Sequence, residues 1–110
     1  MTTDYATIWQ SEPTQQLTDV LVKINDTQIM QDFLRDVMTE KEIIEISSRL
    51  EAAKMLQAGE KYTDIVAKTR LSSRTVARIS DWLKNGCKGY DSALEILKAN
   101  HPHIPPARVE

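Results

Sequence analysis

Apolar positions along this chain recur at three- and four-residue intervals, and the breaks between the runs hold helix-capping and helix-ending residues. Leu17, Val20, Leu21 and Ile24 repeat at i, i+3, i+4, i+7, which predicts a first helix from about Thr14 to Asn25. Asp26 or Thr27 caps the next, whose stripe is Met30, Phe33, Leu34 and Val37. Thr39-Glu40-Lys41-Glu42 has the form of a capping box, with the Thr39 hydroxyl accepting the Glu42 amide and the Glu42 carboxylate reaching back. The helix it opens is expected to run to about Ala58, with Ile43, Ile46, Leu50, Ala53 and Leu56 on one face. Gly59 then ends it as a left-handed residue.

Two short patterns follow and flank a break. Ile65 and Val66 precede it, Leu71 falls within it, and Val76, Ile79 and Leu83 come after. Two short helices crossing at a steep angle need apolar residues at those places, since each offers the other one narrow stripe. Ser72 is the expected N-cap of the second helix and Gly86 its end; Gly89 makes a further break before a last helix over Tyr90 to Ala99, with Leu94 and Leu97 inward. The segment His101-Pro-His-Ile-Pro-Pro cannot continue a helix, because proline lacks a donor and restricts its predecessor. No segment of useful length has strand period. The expected fold class is all-α, a helical bundle with a helix-turn-helix at about residues 63–84. It would occupy residues 14–99, between an N-terminal arm (1–13) and a Pro-rich C-terminal tail (100–110).

The apolar faces from Leu17 to Val37 exceed what one small helix-turn-helix can cover. The expectation is a homodimer in which these faces pack on a second copy, and the alternative is a monomer folded over its own unit. Trp9 and Tyr5, upstream of the first helix, could add an arm to either.

Charge changes the picture only when it is located. The chain has 110 residues and a net charge of −2, which by itself argues against a nucleic-acid partner. From Glu12 to Glu51, however, four basic residues stand against nine acidic ones, and from Glu60 to Lys88 seven basic against three acidic. Phosphate attraction is local over about 8 Å in physiological salt, so a basic patch works on an acidic protein. The basic segment coincides with the helix-turn-helix, whose second helix lies in the DNA major groove in proteins of that kind. The partner implied is double-stranded DNA. Bases are read by the first turns of that helix, which selects Ser73, Arg74 and Ala77: Arg74 for bidentate contact with guanine, Ala77 for a thymine methyl. Lys68, Arg70, Ser72, Thr75, Arg78 and Lys84 are expected on phosphates, with Lys54 and Lys88 as weaker additions. Thr75 could instead bond its own helix.

At Arg35 to Tyr90 the residues RDVMTEKEIIEISSRLEAAKMLQAGEKYTDIVAKTRLSSRTVARISDWLKNGCKGY closely resemble the Trp repressor superfamily, in particular its Trp-repressor-related YerC/YecD branch. SRLEAAKML followed by glycine, and TVARIS, are the most specific pieces. The resemblance implies an intertwined helical dimer acting as a transcriptional repressor. It also implies a small-ligand pocket whose matching positions are Thr39, Arg49 and Arg78, taking tryptophan or another small corepressor. Two guanidinium groups around an indole and its carboxylate make physical sense. Trp82, where the ligand-binding members carry serine, would fill that pocket or block it, so no cofactor is required. Thr39 and Arg49 also have local explanations, a capping box and an i, i+4 partner such as Glu45. Three further departures stand out. Arg70 occupies the turn position usual for glycine, Val66 stands for alanine, and Lys61 replaces a capping threonine, so that Thr63 is expected to cap a late-starting helix.

Other functions find less footing. There is no glycine-rich phosphate loop, nucleophile elbow or zinc motif, so no enzyme is expected. Cys87 is the one cysteine, which excludes an internal disulfide. His101 and His103 lie in the tail and are not expected to bind metal. No signal peptide or membrane span is read, which makes a cytoplasmic protein the expectation, with no membrane partner. The rival to a DNA-binding regulator is a dimeric helical interaction module that has lost DNA affinity. A third possibility is a helix-turn-helix domain serving inside a larger initiation or transposition complex.

Overall fold

The computed structural model describes residues 5–100, and these form helices only. A 3₁₀ helix (Tyr5–Gln10) is followed by α1 (Glu12–Lys23), α2 (Thr27–Val37), α3 (Glu40–Gln57), α4 (Tyr62–Thr69), α5 (Ser73–Asn85) and α6 (Gly89–Ala99). The chain divides into two compact units, one ending at Ile43 and the other starting at Ile44, inside α3. Among the described residues no helix is long and apolar enough to cross a membrane.

In the first unit, local polar groups set the helix ends. Ser11 caps α1 by accepting the Thr14 amide at 3.4 Å, and Pro13 sits in the first turn, where its missing donor costs nothing. The helix therefore starts at Glu12 rather than Thr14 and ends at Lys23 rather than Asn25. Residues 5–10, expected as part of an arm, are a helix tied to α1. The Thr14 hydroxyl donates to the Ile8 carbonyl at 2.6 Å and the Gln15 side-chain Nε2 to the Trp9 carbonyl at 2.9 Å. Of the two candidate caps for α2, Asp26 takes the role, accepting the Ile29 amide at 2.9 Å. Thr39 and Glu42 form the reciprocal capping box: Glu42 accepts the Thr39 amide at 2.8 Å and Thr39 accepts the Glu42 amide at 3.1 Å.

This unit has no buried side chain among residues 7–43. Leu17, Val20, Val22, Ile29 and Val37 are exposed, Val22 most of all at 75%. Leu21, Ile24, Met30, Phe33 and Leu34 of the two expected stripes are half-buried, so the stripes gain only part of the stabilisation that full burial supplies.

The second unit does have a core. Ala52, Ala53 and Met55 of α3, Ile65 of α4, Val76 and Ile79 of α5, and Leu94 of α6 are buried together. Leu50, Leu56, Val66, Leu71, Trp82, Leu83, Tyr90 and Leu97 pack around them. Leu83 and Leu97 are half-buried, as fits the outer ends of their helices. The face expected for α3 needs correcting. Ile46 is exposed, whereas Ala52 and Met55, outside that face, are buried.

Gly59 has φ +82°, and the end of α3 is closed by Gly59 N–H to Leu56 O (3.0 Å) and Glu60 N–H to Met55 O (3.1 Å), the paired bonds of a left-handed C-terminal turn. At Gly86 a β-carbon would lie 2.6 Å from the Trp82 carbonyl oxygen, so only glycine fits there. The break before α6 falls at Lys88 (φ +69°), not at Gly89, which is the first residue of the helix. Cys87, between Gly86 and Lys88, is a free, exposed thiol. The tail from His101 onward, with both histidines, lies outside the described residues.

Candidate nucleic-acid interface

The segment Tyr62–Asn85 is a helix, a three-residue turn and a helix. Lys61 holds the N-cap position of α4 without any side-chain bond, and the helix begins at Tyr62. Thr63 is therefore inside the helix rather than its cap. An extended backbone at position 61 suffices, because exposed first-turn amides can be met by water.

The turn is built on one residue with unusual backbone and one with an unusual place. Arg70 is left-handed, φ +65° and ψ +11°, with its N–H on the Val66 carbonyl at 2.9 Å. That geometry costs a non-glycine residue on the order of 1 kcal/mol. Thr69, just before it, is buried. Its hydroxyl donates to the Ile65 carbonyl at 2.7 Å and accepts the Leu71 amide at 3.3 Å. The chain is thereby held on both sides of the strained residue.

Ser72 caps α5, its hydroxyl accepting the Thr75 amide at 3.1 Å and pairing with the Thr75 hydroxyl at 3.0 Å. Val76 and Ile79 are fully buried, which fixes the rotation of the helix about its axis. Arg74, Ala77, Arg78 and Asp81, spaced i, i+3, i+4, i+7, then form one exposed stripe, with exposed Ser73 and Lys84 beside it. All three residues expected to read bases thus share the outward side of α5, together with Arg78 and Lys84. Arg70 is exposed in the turn.

Other expected phosphate contacts are already engaged. Ser72 and Thr75 spend their hydroxyls on the cap, and Thr75 is half-buried. Lys68 lies 3.2 Å from Oε2 of Glu51 in α3, and Lys54 lies 3.3 Å from Oε1 of the same carboxylate. Burial pushes the Glu51 carboxyl up, but hydrogen bonds from Lys68 and then Lys54 outweigh it and hold the group below its usual range. The Lys88 ammonium donates to the Lys84 carbonyl at 3.2 Å. Asp81 puts a negative charge into the stripe and accepts from Asn85 at 2.9 Å.

Thr69, Glu51 and the Asp81–Asn85 pair are not among the residues expected from the sequence. Glu51–Lys54 and Asp81–Asn85 were visible as helical spacings. Glu51–Lys68 joins residues distant in the chain and leaves no local signal.

The three positions matched to a ligand pocket, and the Trp82 expected to fill or block it, are not all in one unit. Thr39 belongs to the first, where its hydroxyl serves the capping box. Arg49, Arg78 and Trp82 belong to the second. Arg49 donates to Glu45 at 2.8 Å. Trp82 packs against the core as a partly buried side chain, as does Tyr90. Burial pushes the Tyr90 hydroxyl above its ordinary range, against the pull of the Arg49 guanidinium.

Comparison with known proteins gives consistent results. The family model described as Trp repressor protein matches residues 12–98. The uncharacterised protein YerC of Bacillus subtilis is 32% identical over 83 residues, covering 76% of this chain and 80% of that protein. A TrpR-like protein from Eubacterium eligens superposes with a TM-score of 0.78 at 35% identity, over 83% of this chain and 94% of that one. A Staphylococcus aureus structure provisionally described as a Trp repressor shares the fold, with a TM-score of 0.79 at 24% identity over 87% and 96% of the two chains. With the helix-turn-helix, its capped second helix and all six α-helices inside or overlapping the matched region, this chain belongs to the Trp repressor family.

Proposed function

We propose that the protein is a sequence-specific, DNA-binding transcriptional regulator, a repressor rather than an enzyme, that acts in the cytoplasm as a homodimer. One observation carries this reading. The α5 stripe sets Arg74 and Arg78 outward, while Val76 and Ile79 lock the opposite face into the core. A rod fixed on one side and cationic on the other suits a major groove. Arg74 reads guanine, Ser73 and Ala77 contact neighbouring base edges, and Arg70, Arg78 and Lys84 meet phosphates.

The dimer is supported by the apolar stripes of α1 and α2, in which no residue is fully buried and Leu17, Val20 and Val37 are exposed. A second copy would cover them and set two reading helices on one palindromic site. DNA binding needs no small corepressor in this reading. Thr39 and Arg49 are engaged by Glu42 and Glu45, and Trp82 rests on the core. The rival, an interaction module without DNA affinity, draws on Asp81 in the stripe and on Lys68 being held by Glu51. Electrophoretic shift on random duplex DNA at low salt separates the two. The regulator binds and releases as salt rises; the interaction module gives no shift.

A further inference from the structure

Glu51 joins two ammonium groups that lie at an exposed edge of the second unit. Its oxygens sit 3.2 Å from Lys68 and 3.3 Å from Lys54, and both lysine side chains remain more than half exposed. The arrangement crosses from α3 to α4, whereas the Arg49–Glu45 and Lys98–Glu95 pairs lie each within one helix. Lys68 is in the last turn of α4, two residues before the exposed Arg70. In a helix-turn-helix the first helix crosses the phosphate backbone while the second enters the groove. An ammonium at that end of α4 is therefore placed to meet a phosphate, and Lys54 is brought beside it by the shared carboxylate.

We infer that Glu51 is an affinity-setting residue: its carboxylate competes with DNA phosphate for Lys54 and Lys68 and holds binding below what the basic patch would otherwise give. The inference rests on the DNA-binding reading above. The three groups together carry one net positive charge with the carboxylate in place and two without it. Each lysine that neutralises a phosphate releases about 0.9 of a condensed counterion. When DNA phosphate displaces Glu51 from the lysines, the freed carboxylate takes up cations from solution, which offsets part of that release. The pairing is solvent-accessible and so readily exchanged, which lets it tune affinity without locking the lysines away.

The test compares the full-length wild-type chain with E51Q, E51A and the triple variant E51Q/K54Q/K68Q. Binding to one duplex is measured by fluorescence anisotropy from low to physiological salt, with a thermal melt of each protein. The expected result is wild-type binding that weakens with salt, and E51Q and E51A binding about five- to tenfold tighter at low salt. Their plot of log K against log salt should be steeper by about one to two. The triple variant should lose both gains. Equal or weaker binding by folded E51Q and E51A, with an unchanged slope, overturns the inference. So does a gain that persists in the triple variant. A wild-type chain with no salt-dependent binding overturns the DNA reading itself, and this inference with it; that failure shows in the wild type alone, the other only in the differences between variants.

Discussion

The hydroxyl of Thr69 accepts the amide of Leu71 at 3.3 Å and so spans Arg70, the left-handed residue between them. The same hydroxyl donates to Ile65 at 2.7 Å, inside α4. The turn that leads into α5 is thus braced by one buried threonine. Thr69→Val keeps the volume and removes both bonds, leaving the Leu71 amide without this partner. The expected loss is about 1–3 kcal/mol. For a domain of this size that is a fall in Tm of roughly 4–8 °C per kcal/mol, measured by thermal denaturation.

Arg70 serves backbone and charge in opposite senses, and Arg70→Gly separates them. Glycine relieves the positive φ but enlarges the unfolded ensemble, so stability should change by no more than about 1 kcal/mol. DNA affinity should fall alike for all sequences, with the salt slope shallower by about one. Denaturant unfolding beside a salt-titrated binding assay reads both effects.

Arg74→Ala should act differently from any phosphate contact. Losing a bidentate guanine contact removes about 1–3 kcal/mol of discrimination at one position while leaving general affinity comparatively intact. Competition binding with single-base variants of a selected site gives the profile. A uniform loss across all variants would reassign Arg74 to the backbone.

Glu51 gives a pH dependence of definite sign. Its folded pKa is held below the ordinary carboxylate value by Lys68 and Lys54, against the opposing effect of burial. The stabilisation is therefore complete above the unfolded value, about 4.3, and is lost as pH falls through the lower folded value. Urea midpoints of the wild type and E51Q should differ at pH 7, with the wild type higher. The difference should close as the pH is lowered below the usual carboxylate range.

The exposed stripe of α1 predicts self-association. Val20→Asp puts a charge on that stripe and should lower the dimer fraction seen by analytical ultracentrifugation. The wild type should also show a Tm that rises with protein concentration, as linked folding and assembly require.

What could be read from the sequence was what is decided locally. Ser72 as a cap, the Thr39–Glu42 box and Gly59 as a left-handed end each depend on a few adjacent residues, and each stands as expected. Arg70 was marked by resemblance alone, because nothing about arginine announces a positive φ. Lys88 escaped for the same reason: Gly89 next to it attracted the break. On α3 the apolar residues Ile43, Ile44 and Ile46 lie on several faces, so periodicity does not select the inward one, and Ile46 is exposed where the pattern places it inward. Thr69 was invisible as a polar residue inside an apolar pattern. The Glu51–Lys68 pair depends on how α3 and α4 meet, which a pattern along one helix does not contain.

Selection of bound duplexes from a random-sequence library by the full-length chain addresses DNA reading most directly. Enrichment of an inverted repeat is expected, its half-sites centred about 34 Å apart or a multiple of that. One guanine in each half-site should lose its preference when Arg74→Ala is used instead. Recovery of a pool no different from the input, together with no salt-dependent binding, would contradict the assignment of α5 to the major groove.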